Sequence, residues 1–318
     1  MNWLTSLYPE IRSTVEQVLP DSWPELQTLF EGLFDNPPPL LSVAILPIAC
    51  CRAVGGEARA AVPVSAALIA AEVGLRIADD LEDKDRPGQL WQQLGEGRAW
   101  NYASAMQALA FRLLGQADTS PPVFRALNQV FSEAFVEVAL GQERDLLGPP
   151  QTAEDYWRMI ELKTGTAYAA ACRAGALIGT SDPALIQACR AFGHHTGLAI
   201  QIFNDFESIW LPSGRSDLEQ GKLTLPLLYG LSYAHPERPT LEALVQSGGL
   251  AASAQTVKQI LDGIDAKGFM VWAALKEREA ALAAADLCPD PEGRAALGAY
   301  ITGMFGDLDM ILAETSAG

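Results

Sequence analysis

The stretch AAVPVSAALIAAEVGLRIADDLED, residues 60–83, decides how this chain is read. Ala60 to Ala78 is a long apolar run that predicts a buried helix. It ends in Asp79-Asp80-Leu81-Glu82-Asp83. Asp79 and Asp83 stand one turn apart on one helical face. Like charges at that spacing repel and destabilise a bare helix. A bound cation removes the repulsion. Hard oxygen ligands of this kind suit Mg²⁺, which binds through one or two carboxylates together with water and substrate phosphates. The same residues also read as a solvated acidic turn, because Lys84, Asp85, Arg86, Pro87 and Gly88 follow directly.

The 318 residues are 49% apolar and 19% charged, enough for a large core. The breaks, such as Asn36-Pro37-Pro38-Pro39, Pro149-Pro150 and Pro212-Ser213-Gly214, are too short to be linkers. Between them lie Ala- and Leu-rich segments of helical length, without sustained Val/Ile/Thr alternation. The expectation is one all-α domain over residues 1–318, a bundle of roughly a dozen helices. A net charge of −17 argues against nucleic acid, whose phosphates need a basic surface. It leaves room for a diphosphate reached through metal ions. Cys50, Cys51, Cys172, Cys189 and Cys288 are too few and too scattered along the chain for a disulfide framework, and read as core thiols. Residues 1–9 lack the features of a signal peptide. Leu40 to Cys51 is too short to span a bilayer, and Ala60 to Ala78 is interrupted or flanked by Arg59, Glu72 and Arg76. A soluble cytoplasmic enzyme without a membrane span is expected.

A second polar cluster closes another apolar helix, in Gly197 to Ser208. Asn204 and Ser208 are one turn apart with Asp205 beside them, and Gln201 is one turn before Asp205. Asn and Ser oxygens can ligate Mg²⁺ alongside one carboxylate. An ordinary polar helix end has the same composition. Lys163-Thr164 interrupts an otherwise helical, Ala-rich stretch from Tyr156 to Ala174. Lys222 follows Gly221 ahead of Leu223-Thr224-Leu225-Pro226. Either lysine suits phosphate oxygen as a point charge, or is a surface charge.

These landmarks together resemble the trans-isoprenyl diphosphate synthase, or polyprenyl synthetase, family. Asp79-Asp80-Leu81-Glu82-Asp83 resembles its first aspartate-rich motif. Gly141-Gln142-Glu143-Arg144-Asp145-Leu146 resembles its Gly-Gln-x-x-Asp-Leu segment, and Lys163-Thr164 its Lys-Thr pair. Gln201 to Asp205 stands where the second aspartate motif belongs, and Gly221 to Pro226 resembles its Gly-Lys-x-Thr-Leu-Pro signature. Five ordered landmarks over about residues 40 to 315 are far more specific than a lone D-D-x-x-D. The resemblance implies an isoprenoid synthase-type helical bundle with a central cavity. It also implies a homodimer and three Mg²⁺ ions bridging the motifs to an allylic prenyl diphosphate. Asp79, Asp80, Asp83, Asn204, Asp205 and Ser208 are then the expected metal ligands. Lys163, Lys222 and Arg76 would face the diphosphate. Gln142, Thr164, Gln201 and Phe203 complete the expected substrate site. Phe203, Phe206 and Trp210 read either as aromatic walls for a cation or as plain core packing, the more common case.

The departures from the family pattern also carry information. Elongating members hold isopentenyl diphosphate with basic residues ahead of the first aspartates and paired Arg after them. Here no Lys or Arg lies between Arg12 and Arg52, and the upstream position reads Asn36-Pro37-Pro38-Pro39-Leu40. The paired-Arg site reads Asp85-Arg86-Pro87-Gly88, and the downstream His position falls near Leu90-Trp91. Asn204-Asp205-x-x-Ser208 resembles the start of the class I terpene cyclase metal motif. That motif continues with Glu where this chain has Pro212, leaving Glu207 or Asp217 as substitutes. The first expectation is therefore a terpene synthase on the prenyl synthase scaffold, acting on a C15 or C20 diphosphate. The second is a chain-elongating or other prenyltransferase, and the third a non-catalytic partner subunit. Gly74 and Leu75, five and four positions before Asp79, are expected to border the chain-binding cavity.

Overall fold

The computed structural model describes residues 2–35, 43–84, 88–150, 152–211 and 216–304; helices dominate and no strand occurs among them. The principal helices, numbered in chain order, are α1 (Ile45–Ala53), α2 (Val62–Asp83), α3 (Glu96–Leu114), α4 (Pro121–Leu147), α5 (Ala153–Ile160), α6 (Thr166–Gly179), α7 (Pro183–Trp210), α8 (Leu225–Ser232), α9 (Ala266–Ala285) and α10 (Pro291–Gly303). One turn of wider π-helix, Glu161–Gly165, separates α5 from α6. The all-α expectation holds. The proline-rich 36–40 segment, Asp85-Arg86-Pro87 and Pro212 lie outside the described residues.

The chain divides into two compact units. One comprises Met1–Glu133, Ala169–Ala191 and Ala284–Ala299; the other comprises Ala134–Tyr168, Phe192–Ala283 and Tyr300–Gly318. The divisions fall inside helices.

In the first unit α2 is the central helix. Val64, Ala66, Ala67 and Ala70 are fully buried. The length and composition of Ala58–Asp83 would suffice to cross a membrane, but most of that stretch is buried in the protein. Each large apolar side chain so buried contributes about 1.5–3 kcal/mol. Small residues let α2 approach α3 closely. A Cβ added at Gly74 would lie 2.9 Å from Met106 Cβ and 3.0 Å from the Ala103 carbonyl oxygen. Gly74 is thus a packing glycine whose missing side chain faces α3, where its position before Asp79 had suggested the chain-binding cavity. Helix α2 stops at Lys84, which takes the left-handed conformation at φ 50° and pairs with Glu96 at 2.6 Å.

All five cysteines are buried and reduced. Scattered in sequence, they are neighbours in space. Cys189 and Cys288 approach to 3.8 Å between sulfurs, and Cys50 interacts with the thiols of Cys172 and Cys189. Burial pushes the Cys50 thiol up, as expected for inert core cysteines.

The second unit is built on local signals that hold a distorted turn. Thr152 and Asp155 form a capping box that starts α5, turning Tyr156 and Ile160 inward. The π-turn Glu161–Gly165 then carries Lys163 and Thr164. Two glycines clasp it: a Cβ at Gly141 would lie 2.6 Å from Lys163 N, and one at Gly197 would lie 2.8 Å from Thr164 O. Phe203, Phe206 and Trp210 form an aromatic ladder with ring centroids 6.1 and 5.2 Å apart, and Trp210 Nε1 donates to Asp262 at 2.7 Å.

Candidate active site

Five polar residues of α2 fall in one narrow arc. At 100° per residue, Ser65, Glu72, Arg76, Asp79 and Asp83 lie within about 60°, on the side away from Gly74. Asp79 and Asp83 are half-buried and Arg76 is exposed. Asp80 Oδ1 accepts from Gln89 Nε2 at 2.9 Å, while Gln89 Oε1 accepts from Trp91 Nε1 at 2.5 Å. The region after the first acids is therefore organised by a buried amide and an indole, two partners that the sequence reading did not identify.

The second unit gathers four of the sequence landmarks into one bonded network. Lys163 Nζ lies 3.1 Å from Asp145 Oδ2, joining the Lys-Thr pair to the Gly-Gln-x-x-Asp-Leu segment. Thr164 Oγ1 donates to Gln201 Oε1 at 3.0 Å, and Gln201 Nε2 donates to Asp205 Oδ1 at 3.0 Å. Asp205 Oδ2 accepts from Tyr156 Oη at 2.6 Å and from the Leu225 backbone N–H at 3.2 Å. Leu225 opens α8, whose N-cap residue Thr224 makes no side-chain cap. Asp205 thus supplies the missing cap to an otherwise unpaired helix N–H. Burial pushes its carboxyl up to about 6, against the hydrogen bond from Tyr156, which favours the charged form.

Asn204 is exposed beside this network. Ser208 is half-buried, and its Oγ accepts from the Asp217 N–H at 2.8 Å. Lys222 is exposed, just after Gly221, which closes its turn at φ 75°. Gln142 follows the clasping Gly141, and its amide oxygen and nitrogen are both shielded from solvent without a hydrogen-bond partner.

Phe203 does not belong with these residues. It lies two positions from both Gln201 and Asp205, about 200° around the helix. It stacks on Phe206 instead. Phe203, Phe206 and Trp210 pack on one another in the second unit. Tyr156 was missed as a site residue. The signal available was a capping box that places it on the inward face of a short helix.

Among the described residues, no three His, Cys, Asp or Glu side chains form a group able to hold a metal ion on their own. Mg²⁺ takes few protein carboxylates and fills its octahedron with water and substrate phosphate. The hard oxygens of Asp79 and Asp83, and of Asn204 and Ser208, fit that requirement.

Residues 44–264 match the family profile described as polyprenyl synthetase. The chain belongs to the polyprenyl synthetase family. All five landmarks, from Asp79 to Pro226, lie inside the matched region. The chain is 33% identical over 217 residues to geranylgeranyl diphosphate synthase of Mycobacterium tuberculosis, spanning 64% of this chain and 62% of that protein. It is 27% identical over 272 residues to octaprenyl diphosphate synthase of Escherichia coli, 80% of this chain and 81% of that one. Its fold matches a geranylgeranyl pyrophosphate synthase from Corynebacterium glutamicum solved with calcium and isoprenyl diphosphate. That match has a TM-score of 0.77 at 21% identity, covering 95% of this chain and 94% of the other. These polyprenyl synthetase relatives carry names of chain-elongating synthases. The comparisons therefore favour a prenyltransferase over the terpene synthase expected first.

Proposed function

We propose that this chain is a Mg²⁺-dependent prenyltransferase. It ionises an allylic prenyl diphosphate and joins the prenyl group to isopentenyl diphosphate. The allylic carbon–oxygen bond breaks with its electron pair leaving on diphosphate. The acceptor double bond attacks the allylic carbon, and loss of a proton restores the alkene. The observation that carries this reading is the ordered set of family landmarks, four of them joined in the second unit through Lys163–Asp145, Thr164–Gln201 and Asp205–Leu225.

In this reading Asp79 and Asp83 hold metal at the first cluster, and Asn204 and Ser208 at the second. Bound Mg²⁺ supplies the positive charge that stabilises the leaving diphosphate. Lys163, Lys222 and Arg76 bind diphosphate oxygens, and the Asp145 carboxylate keeps Lys163 oriented until a phosphate takes its place. A C15 or C20 tail suits the reading, since burial gains about 0.8 kcal/mol for each CH₂. The enzyme works in the cytoplasm as a homodimer. Val136, Leu140 and Leu147 share one exposed face of α4, an apolar stripe that a second copy would cover.

A second reading is favoured by one observation, the absence of Lys and Arg between Arg12 and Arg52. Without them the metal-free diphosphate has few cationic partners, and the allylic cation would cyclise, lose a proton or pass to a neutral acceptor. Product analysis separates the two. Each of the C10, C15 and C20 allylic diphosphates is incubated with Mg²⁺, with and without isopentenyl diphosphate. A longer diphosphate formed only with isopentenyl diphosphate supports elongation. Hydrocarbon from the allylic substrate alone supports the second reading.

A further inference from the structure

We infer that Asp205 is an anchor and no metal ligand, and that Tyr156 is the positioning residue that holds it. This rests on the reading that Mg²⁺ and a diphosphate bind at the second cluster. It changes what the acid between Asn204 and Phe206 does there.

The argument is one of valence. A carboxylate offers about four lone-pair sites. In Asp205, Oδ1 accepts from Gln201, while Oδ2 accepts from Tyr156 and from the N–H that opens α8. Three sites are used, and the side chain is 4% exposed. The one remaining site is on Oδ1, which is buried with the rest of the side chain, so a metal ion has little access to it. Asn204, its neighbour, is exposed.

The three donors come from three different places. Tyr156 sits on α5, one turn ahead of the π-turn with Lys163 and Thr164. Gln201 sits one turn back on α7 and accepts from Thr164. Leu225 lies three residues beyond Lys222. Asp205 is therefore the node through which the Lys163 turn, the Asn204/Ser208 face and the Lys222 loop share one geometry. Tyr156 contributes its shortest contact, at 2.6 Å, and is itself 1% exposed.

The test is direct binding, measured by calorimetry with Mg²⁺ and inorganic pyrophosphate on the full chain. Wild type is compared with Tyr156→Phe and Asp205→Asn. Asparagine keeps an oxygen for Tyr156 and Leu225, loses the carboxylate charge, and turns its amide nitrogen toward Gln201, whose own amide can flip to accept. An anchor predicts that Asp205→Asn binds within about threefold of wild type. It predicts that Tyr156→Phe weakens binding by about tenfold, the usual scale for partners that orient a metal site. Thermal melting confirms that both variants fold, and phenylalanine preserves the buried ring. The inference is overturned if Asp205→Asn loses a hundredfold or more while Tyr156→Phe binds like wild type. If wild type itself binds no Mg²⁺-pyrophosphate, the functional reading falls, and this inference with it.

Discussion

A Cβ added to Gly141 would lie 2.6 Å from the backbone nitrogen of Lys163. The neighbour is backbone, so it cannot rotate away. The glycine that opens the Gly-Gln-x-x-Asp-Leu segment thus sets how closely α4 approaches the π-turn. π-Turns within α-helical runs occur often at functional sites, where they re-aim a side chain. Here the turn presents Lys163 to Asp145. Gly141→Ala should destabilise the fold by about 1–3 kcal/mol, the usual cost of overpacking. It should also raise KM for the allylic diphosphate. Denaturant titration and steady-state kinetics check the two effects, and a variant unchanged in both would mean that the clasp is slack.

Gly74 leads to a prediction opposite to the one its sequence position suggests. Phenylalanine there would meet Met106 Cβ and the Ala103 carbonyl before reaching any substrate. Gly74→Phe should lower the melting temperature sharply, and even Gly74→Ala should lower it measurably. Leu75, half-buried one residue on, is the position to enlarge if chain length is to be altered. A stable Gly74→Phe variant with shorter products would restore the original reading.

Glu72 carries a pH dependence. Burial pushes its carboxyl from the ordinary 4.5 up to about 7, partly offset by the Arg76 charge. Its folded-state pKa lies above its unfolded value. Between about pH 4.5 and 7 the folded chain keeps a proton that the unfolded chain has lost. Stability from this group therefore falls as pH rises through that window, and the penalty is complete above it. Glu72→Gln should flatten the pH profile of melting temperature there and melt higher than wild type at pH 8. Parallel profiles for the two proteins would count against this assignment.

The exposed stripe of Val136, Leu140 and Leu147 predicts self-association. Analytical ultracentrifugation should find a dimer. Val136→Glu combined with Leu140→Glu should shift it toward monomer without lowering helix content. A wild-type monomer at micromolar concentration would remove the homodimer from the account.

Much of this was legible in the residues. The run from Ala60 to Ala78 announces a buried helix, and from Val62 onward it forms most of α2. Asp79 and Asp83 share a face because helical spacing dictates it. Phe203 was grouped with Gln201 on resemblance, although a two-residue separation from Gln201 and from Asp205 puts it on the far side of α7. What could not be read is long-range. Nothing local links Tyr156 to Asp205 across 49 positions, or Cys189 to Cys288 across 99. The packing roles of Gly141, Gly197 and Gly74 depend on which backbone lies opposite, and composition does not encode that.

The central claim is that this chain ionises an allylic prenyl diphosphate with divalent metal held by two separated polar clusters. Release of inorganic pyrophosphate from C15 and C20 allylic diphosphates in the presence of isopentenyl diphosphate measures it most directly. Wild type should release pyrophosphate with Mg²⁺ and cease with a chelator. Asp79→Ala and Asp83→Ala should each lower the rate by orders of magnitude, since metal ligands act as a unit. Release that persists without metal, or at near-normal rates in either variant, would contradict the account.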